Sequence, residues 1–414
     1  MSAADFYARA DRQSPGPLAG VRVLEATNYG AGPFCGMVLA DFGARSIKIE
    51  PPGSGDPVRQ IPPFVGGQRG TEHSAWYLSI NRNKQAITLD LRKPEGQAIF
   101  RELAAQSDIV VENYAPGVMA RWGLDYASLA KDLPGLIYVS VSGFGQFGPL
   151  AHRKGFDPVA QAMSGLMSVT GEPDGRPLRA GFAFADDLSG WLGAMGAMAA
   201  LHHRHRTGEG QHVDSSLVDA ILYASDMGIM GAANAGYIWP RQGAGTDTAA
   251  PLSSYPCQGG RYVFVHAVFD KAWEALCEAM GRPDLKTDPR TASIAARGAH
   301  IPFVNEVVGA YTAARTVEQV VDEAERTGFI AAPILDFGEV AREEHFLARE
   351  GVAQVDHPLH GPLKLQGVSP KFSRTPARVR TPAARMGEHN QAVYGEMLGY
   401  SAQRMAALHE AGVI

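Results

Sequence analysis

Residues 21–50 read VRVLEATNYGAGPFCGMVLADFGARSIKIE and carry the pattern of a strand, a helix and a second strand. The run VRVLEAT (21–27) predicts a buried strand, and SIKIE (46–50) predicts the next strand. The segment 32–44 between them predicts a helix with Pro33 in its first turn. Two strands joined by a helix form a βαβ unit with parallel strands, so this stretch predicts an α/β fold.

The same alternation continues along the first half of the chain and predicts a mostly parallel sheet. The Gly- and Ala-rich stretch 233–254 has no period, which predicts a linker or an active-site loop. A second unit is predicted to begin with a strand over 260–268. The other strands and helices are predicted at 85–91, 93–107, 108–113, 136–145, 157–171, 188–206, within 207–228, and at 271–281, 300–315 and 316–328. The last of these helices is predicted to have Thr316 as its N-cap, with Glu318 and Gln319 in its first turn.

Composition excludes several classes of protein. The chain has 414 residues, 45% of them hydrophobic, and a net charge of −5, which argues against a nucleic-acid partner because phosphate neutralisation needs clustered Lys and Arg. Its most apolar run, 191–201, is too short to cross a bilayer. Cys35, Cys257 and Cys277 form no C-x-x-C motif, and the first sixteen residues lack a signal-peptide core. We therefore expect a cytoplasmic protein with no membrane partner and no metal site.

Glycines lie between the first strand and the first helix, at positions 30, 32 and 36, and Glu50 ends the next strand. This pattern is similar to the fingerprint of dinucleotide-binding folds. It departs from that fingerprint in its G-x-G-x-x-x-G spacing and in Pro33, which stiffens the turn. A nicotinamide-dependent oxidoreductase is therefore a remote alternative. The small-residue turn at a helix N-terminus could still approach an anion or a carbonyl closely.

Two adjacent carboxylates, Asp186 and Asp187, lie in the stretch AFADDLSGW (183–191), before an apolar helix. An aspartate at this place commonly caps the helix, and on the residues alone that structural role is favoured for either of them. A pair of acids at the start of an apolar segment also suits a carboxylate that takes part in chemistry.

Several segments together make the chain resemble the class III (family III) CoA-transferases, which include formyl-CoA transferase and the carnitine and bile-acid CoA-transferases. Each segment is weak by itself, but they occur in the family's order along nearly the whole chain. The segments that carry the resemblance are 17–59, NRNKQAITLDLRKPEG (81–96), VVENYAPGVMARWGLDY (110–126), YVSVSGFGQFGP (138–149), 155–171, ADDLSGW (185–191), RTGEGQHVDSSLVDA (206–220) and RMGEHN (385–390).

The resemblance implies a large Rossmann-like parallel-sheet domain formed by both chain ends and a smaller inserted α+β domain. It also implies that two chains form an interlocked homodimer. We accordingly expect residues 1–225 and 331–414 to build the large domain, with the small domain and its linkers in 226–330.

The resemblance also implies the reaction and its nucleophile. The family's catalytic aspartate lies four residues before a glycine, and here Asp186 lies four residues before Gly190. Asp186 is thereby expected to attack the thioester, form an anhydride and then carry CoA as an aspartyl thioester. Asp187 is expected to be a structural neighbour. CoA and acyl-CoA are substrates, and no tightly bound cofactor is expected.

The family's CoA contacts can be carried over to matching positions. CoA bears a 3′-phosphate and a pyrophosphate, which need a local cluster of basic groups, although arginines are most often solvated surface residues. The expected contacts are Gly30, Ala31, Leu89, Asp90, Leu91, Arg92, Asn113, Tyr114, Ala115, Arg121, Lys154, Phe156 and Asp157.

Three positions depart from patterns within the family. Some relatives have a CoA-binding arginine where this chain has Pro52, and formyl-CoA transferase has a glutamine where this chain has Gly30. The family's α-methylacyl-CoA racemases have a histidine where this chain has Phe156. Phenylalanine carries no proton, so the racemase, although an open alternative, is disfavoured. The donor and the acceptor acid are not predicted from the sequence.

Overall fold

The computed structural model describes residues 2–414, which form two compact units. The first unit contains the chain up to Leu166, then Ala180–Ile229 and Glu343–Ile414; the second contains Met167–Arg179 and Met230–Arg342. The first therefore draws on both chain ends. Residues 167–179, which the sequence places in the large domain, belong to the second unit. The domain boundaries at 225/226 and 330/331 stay a prediction.

A six-stranded parallel sheet forms the centre of the first unit, in the order β3-β2-β1-β4-β5-β6. This is the strand order of dinucleotide-binding folds, in which the direction of winding reverses between β1 and β4. The predicted α/β class and parallel sheet are confirmed. The strands are β1 (Arg22–Ala26), β2 (Arg45–Glu50), β3 (Lys84–Thr88), β4 (Ile109–Glu112), β5 (Ile137–Ser142) and β6 (His212–Ser216).

Helices cover both faces of this sheet, so that most residues of β1 to β5 are buried. The helices with seven or more residues in this unit are α1 (Ala31–Asp41), α2 (Pro94–Ala104), α3 (Asp157–Met163), α4 (Phe184–Thr207), α5 (Leu217–Tyr223) and, near the C-terminus, α9 (Ala402–Glu410). Helices α1 and α4 pack on one face, and α2 packs on the other together with Tyr394, Tyr400 and Ile414. The end of the chain thus completes the core of the unit that its beginning builds.

Two helices differ from their predicted extents. The helix expected over 157–171 ends at Met163 because Gly165 has a φ of 87°, and a separate short helix follows at Leu166–Val169. Helix α4 begins at Phe184, four residues earlier than expected, so that Asp186 and Asp187 lie in its first turn. This second difference changes the role of the two acids, because both now belong to a helix N-terminus.

The second unit contains the antiparallel sheet β7-β8-β9, formed by Leu252–Pro256, Tyr262–His266 and Ile330–Pro333. It packs against α6 (Asp270–Ala279), α7 (Ile301–Ala313) and α8 (Val317–Thr327) around the buried Trp273. Thr316 caps α8, as predicted, and forms a capping box with Gln319.

The remaining elements are short. The first unit also contains an antiparallel hairpin, β10 (Val352–His357) and β11 (Gly361–Gln366). Among residues 2–414, no helix has both the length and the apolar character that crossing a membrane would require. The other α-helices are Ala3–Phe6, Ala75–Ile80, Val118–Arg121, Tyr126–Leu129, Gly228–Met230, Ile294–Ala299, Phe337–Val340 and Glu344–Ala348. The 3₁₀ helices are Pro57–Gln60, Val65–Gly67, Gln258–Gly260 and Pro283–Lys286. The π-helices are Gly231–Ala235 and Gln391–Met397.

Candidate active site

Most of the residues predicted for the site follow the carboxyl ends of parallel strands. Gly30 follows β1, Arg92 follows β3, Asn113 follows β4 and Asp157 follows β5 after a loop. All these ends lie on one edge of the sheet, where α/β proteins bind ligands near the reversal of strand order. With strands about 4.8 Å apart, the edge from β3 to β5 spans about 20 Å, room for an extended ligand.

The turn between β1 and α1 is held by a buried ion pair. Tyr29 has a φ of 61°, a strained conformation for a residue other than glycine. Its N–H donates to Asp56 Oδ1 at 3.1 Å, while Lys48 Nζ pairs with Asp56 Oδ2 at 2.9 Å and donates to the carbonyl of Thr27 at 2.8 Å. The side chains of Lys48 and Asp56 are fully buried, so the turn rests on a rigid support. The sequence did not predict a role for either residue. Both lie in segment 17–59, which is one of the segments that carry the family resemblance.

Asn113 fixes the same turn from the side of β4. Its Oδ1 accepts the N–H of Asn28 at 2.8 Å, and its Nδ2 donates to the carbonyl of Asn28 at 2.7 Å. A β-carbon at position 32 would lie 2.7 Å from Asn113 Cγ, so only glycine allows this approach. The side chain predicted to contact CoA therefore has a structural function as well, and Asn28 is a member of the site that the sequence did not single out.

The carboxylate of Asp186 lies against the N-terminus of α1. Gly30 is the N-cap of that helix, and a β-carbon at Gly30 would lie 2.3 Å from Asp186 Oδ2. Helices α1 and α4 approach closely because position 190 is also glycine, where a β-carbon would lie 2.8 Å from the carbonyl oxygen of Ala31. Asp186 thus lies at two helix N-termini, each of which stabilises a negative charge by about 0.3–1 kcal/mol.

The pKa of Asp186 is raised to about 7, first by burial and then by the charges of Asp157 and Asp187. The pKa of Asp187 is raised to about 6, again by burial and then by Asp157. Both carboxyl groups are half-buried. A carboxylate with a pKa near 7 is more basic, and hence more nucleophilic, than an ordinary one, yet a large fraction of it is ionised at neutral pH.

The basic residues predicted to bind phosphate are exposed. The side chain of Arg92 is 75% exposed and donates Nε and Nη2 to the two oxygens of Asp90 at 2.8 and 2.9 Å. Arg121 ends the short helix Val118–Arg121, and Lys154 lies in the loop that leads to α3; both are exposed. These three cations are accessible to an anionic ligand along the carboxyl edge of the sheet.

The remaining predicted contacts differ in whether their side chains are buried or exposed. Leu89 and Leu91 are buried in the core, so only their backbone is available to a ligand. Tyr114 packs its ring on Trp122 at 5.3 Å between centroids, and its N–H donates to Glu112. Ala31 is buried in the first turn of α1, and Ala115 is exposed in the loop after β4. Phe156 is exposed and meets Tyr29 edge to face at 5.8 Å.

Glu50 has a different function from the ribose-binding acid of a dinucleotide site. Arg59 Nε and Nη2 each donate to one of its oxygens at 2.7 Å, and Tyr77 also donates to it. The carboxylate is fully buried, so it is not available to a ribose, and Asp186 occupies the space over Gly30. The nicotinamide alternative is therefore unsupported. Within residues 2–414, no three His, Cys, Asp or Glu side chains converge in the way that a metal site needs.

Comparison with known proteins shows the family to which this chain belongs. The model of CoA-transferase family III matches residues 18–390. The succinyl-CoA–D-citramalate CoA-transferase of Chloroflexus aurantiacus is 39% identical over 97% of this chain and 99% of its own length. The succinate–glutarate CoA-transferase of Agrobacterium fabrum is 37% identical over 92% of this chain and 96% of its own.

A solved structure shares the fold. The crystal structure of a CAIB/BAIF family protein from Brucella suis superposes with a TM-score of 0.83 at 32% identity, covering 92% of this chain and all of that one. The chain therefore belongs to CoA-transferase family III and is a CoA-transferase.

Proposed function

We propose that Asp186 is the nucleophile of the transfer and that it carries CoA covalently. The observation that supports this role is the position of its carboxylate against Gly30, at the N-terminus of α1, with a pKa of about 7. The backbone N–H groups of a helix N-terminus can also stabilise the oxyanion that forms when a thioester carbonyl is attacked.

The transfer proceeds by four displacements that balance without any external reagent. An oxygen of Asp186 attacks the thioester carbonyl of the donor, the C–S bond breaks, and CoA leaves as a thiolate. The thiolate attacks the aspartyl carbonyl of the resulting anhydride and releases the donor acid as a carboxylate. The acceptor carboxylate then attacks the aspartyl–CoA thioester, and the released thiolate attacks the acceptor's acyl carbon, which restores Asp186.

The relatives indicate the class of substrate. Both named transferases use succinate or its CoA thioester together with a second dicarboxylic acid, citramalate or glutarate. We therefore assign succinyl-CoA as donor and a C4–C5 dicarboxylate as acceptor. The test is a matrix of acetyl-CoA and succinyl-CoA against malate, citramalate, glutarate, acetate and butyrate. Exchange with monocarboxylates alone would overturn the assignment.

The CoA contacts carry a prediction of their own. The variants Arg92→Gln and Arg121→Gln are expected to raise KM for the CoA thioester by about 10- to 150-fold, because each removes a charged hydrogen bond to phosphate worth about 1.5–3 kcal/mol. Turnover at saturation is expected to change little. Kinetics with CoA and with 3′-dephospho-CoA thioesters identify the partner, since a variant that loses the 3′-phosphate contact discriminates less between the two. Arg92→Gln with an unchanged KM on both thioesters would remove Arg92 from the pocket.

The raised pKa of Asp186 predicts the pH dependence of the first half-reaction. Attack requires the ionised carboxylate, so the rate at which the donor acid is released and CoA becomes bound to the enzyme is expected to rise with pH through about 7 and to level off above it. The measurement is succinate release from succinyl-CoA in single turnovers from pH 5 to pH 9, without acceptor, because the acceptor's own carboxyl groups titrate at low pH. A rate that is flat down to pH 5 would contradict this assignment.

We also propose that the protein is a homodimer. Trp191 and Met195 lie one turn apart on α4 with about half of their surface exposed, and Met163 and Tyr223 are exposed at the ends of α3 and α5. Large apolar side chains exposed together commonly mark a protein interface. Sedimentation at micromolar concentration is expected to give twice the mass of one chain. A single chain under those conditions would contradict the dimer.

We also place the enzyme in the cytoplasm. Cys35, Cys257 and Cys277 are free and buried, which suits a reducing compartment. Burial raises the pKa of Cys277 to about 12, so that thiol is protonated at neutral pH.

A further inference from the structure

The helix that carries Asp186 lacks a cap of its own. Its N-cap residue is Ala183, which has no side chain that could accept a hydrogen bond. The first free N–H groups of the helix instead reach a residue of a different helix: Asp157 Oδ1 accepts the N–H of Ala185 at 2.7 Å and that of Asp186 at 3.4 Å. Asp157 therefore performs the function of an N-cap from outside the helix.

Asp157 is itself held in place. Its second oxygen, Oδ2, accepts a hydrogen bond from Gln161 Nε2 at 2.8 Å, one turn further along α3. Gln161 Oε1 in turn accepts the N–H of Ala180 at 2.8 Å, in the segment that enters α4. Asp157 is 6% exposed and Gln161 is fully buried, so this chain of bonds is shielded from competition by water.

We propose that Asp157, oriented by Gln161, is a positioning residue that holds the first turn of α4 and sets the negative charge facing the carboxylate of Asp186. This inference rests on the proposed role of Asp186. It gives Asp157 a function different from the CoA contact expected from the sequence, since both of its oxygens already bind groups of the protein. The donors on both oxygens hold this buried carboxyl group at a fixed place.

The charged groups around Asp186 allow a test of the second part of the proposal, that Asp157 sets the negative charge facing the carboxylate of Asp186. The titratable groups of the helices packed on α4 are Cys35 and Asp41 from α1, Asp157 from α3, and Asp219 and Tyr223 from α5; those of the sheet are Tyr138 from β5 and His212 and Asp214 from β6. Besides burial, which is the largest cause, the charges of Asp157 and of the neighbour Asp187 raise the pKa of Asp186. Removal of the charge at 157 should therefore make Asp186 easier to ionise and less basic.

Two substitutions separate the charge from the hydrogen bond to α4. Asp157→Asn keeps an oxygen that can accept the N–H of Ala185 but removes the charge and the oxygen that accepts from Gln161 Nε2, whereas Asp157→Ala removes both oxygens and the charge. We expect Asp157→Asn to move the acid limb of the single-turnover profile to lower pH by about half a pH unit or more, and Asp157→Ala to lower kcat by about 10- to 100-fold. KM for the CoA thioester is expected to stay within about threefold of the parent in both variants. Asp132→Asn, the same change at an exposed acid, is the matched control and should alter nothing.

The results that test the role of Asp157 can be distinguished from those that test Asp186 as the nucleophile. Covalent labelling of Asp186 in the unaltered enzyme tests the proposed function, and its absence there would overturn that function. If Asp186 is labelled but Asp157→Asn leaves the pH profile unchanged, or raises KM for CoA with kcat preserved, the positioning role is wrong. Should Asp157→Ala fail to fold, Asp157→Asn still decides the question, because it keeps the acceptor oxygen.

Discussion

Replacement of Asp186 by asparagine is expected to lower the rate of CoA exchange by at least about 1,000-fold, with the fold unchanged. The amide has nearly the shape of the carboxylate but cannot form the anhydride, so every step of the proposed transfer is blocked. The measurement is the exchange of CoA between succinyl-CoA and a dicarboxylate, together with the thermal unfolding midpoint of each protein.

The matched control for this substitution is Asp187→Asn. Asp187 lies next to Asp186 in the same first helical turn, carries the same charge and also has a raised pKa. We expect it to keep activity within about tenfold of the parent, since its carboxylate is not the one that contacts Gly30. If Asp187→Asn is inactive while Asp186→Asn transfers CoA normally, the two acids have been assigned in the wrong order.

The second large effect is expected at Gly30. A β-carbon there would lie 2.3 Å from Oδ2 and 3.0 Å from Cγ of Asp186, far inside van der Waals contact. Gly30→Ala should therefore displace the carboxylate by about 1 Å and lower kcat by about 100-fold, because misplacement of a reacting group by that distance has such an effect. Steady-state kinetics with the preferred pair of substrates measure the change.

Gly181→Ala is the control for the chemical change itself. A β-carbon at that position meets nothing within 4 Å and its φ is not in the left-handed region, so activity and stability should be those of the parent. Full activity of Gly30→Ala would contradict the contact between Gly30 and Asp186. A rise in KM for CoA alone, with kcat preserved, would instead assign Gly30 only to substrate binding.

Much of the first unit could be predicted from local patterns. All six strands of the parallel sheet overlap segments in which a strand is predicted, because most of these segments are rich in β-branched or apolar residues and lie between turn signals. The N-cap at Thr316 followed from a threonine with a glutamine three residues later. The contribution of the C-terminal segment to the same core came from the resemblance, and the order of the strands was not predicted, since pairing between distant segments leaves no local pattern.

Other features depend on contacts that a sequence does not display. The helix that was expected to continue through 171 ends at Met163, where the left-handed Gly165 follows; glycine permits that conformation without requiring it. Asp157 is separated from Ala185 by 28 residues, so its capping role appears only when α3 and α4 are in place. The Lys48–Asp56 pair beneath the turn is likewise a buried tertiary contact. The sequence identified the acids of the site, and the packing determines what each of them does.

The most direct test of the proposed role of Asp186 is covalent trapping at that residue. The enzyme is incubated with succinyl-CoA without acceptor, treated with hydroxylamine or borohydride, digested and mapped by mass spectrometry. Hydroxylamine converts an aspartyl anhydride or thioester to a hydroxamate, and borohydride reduces the thioester to an alcohol. We expect modification at Asp186, and no modification of that residue when succinyl-CoA is left out. Modification at Asp187, or an unmodified active site in an enzyme that still exchanges CoA, would contradict it.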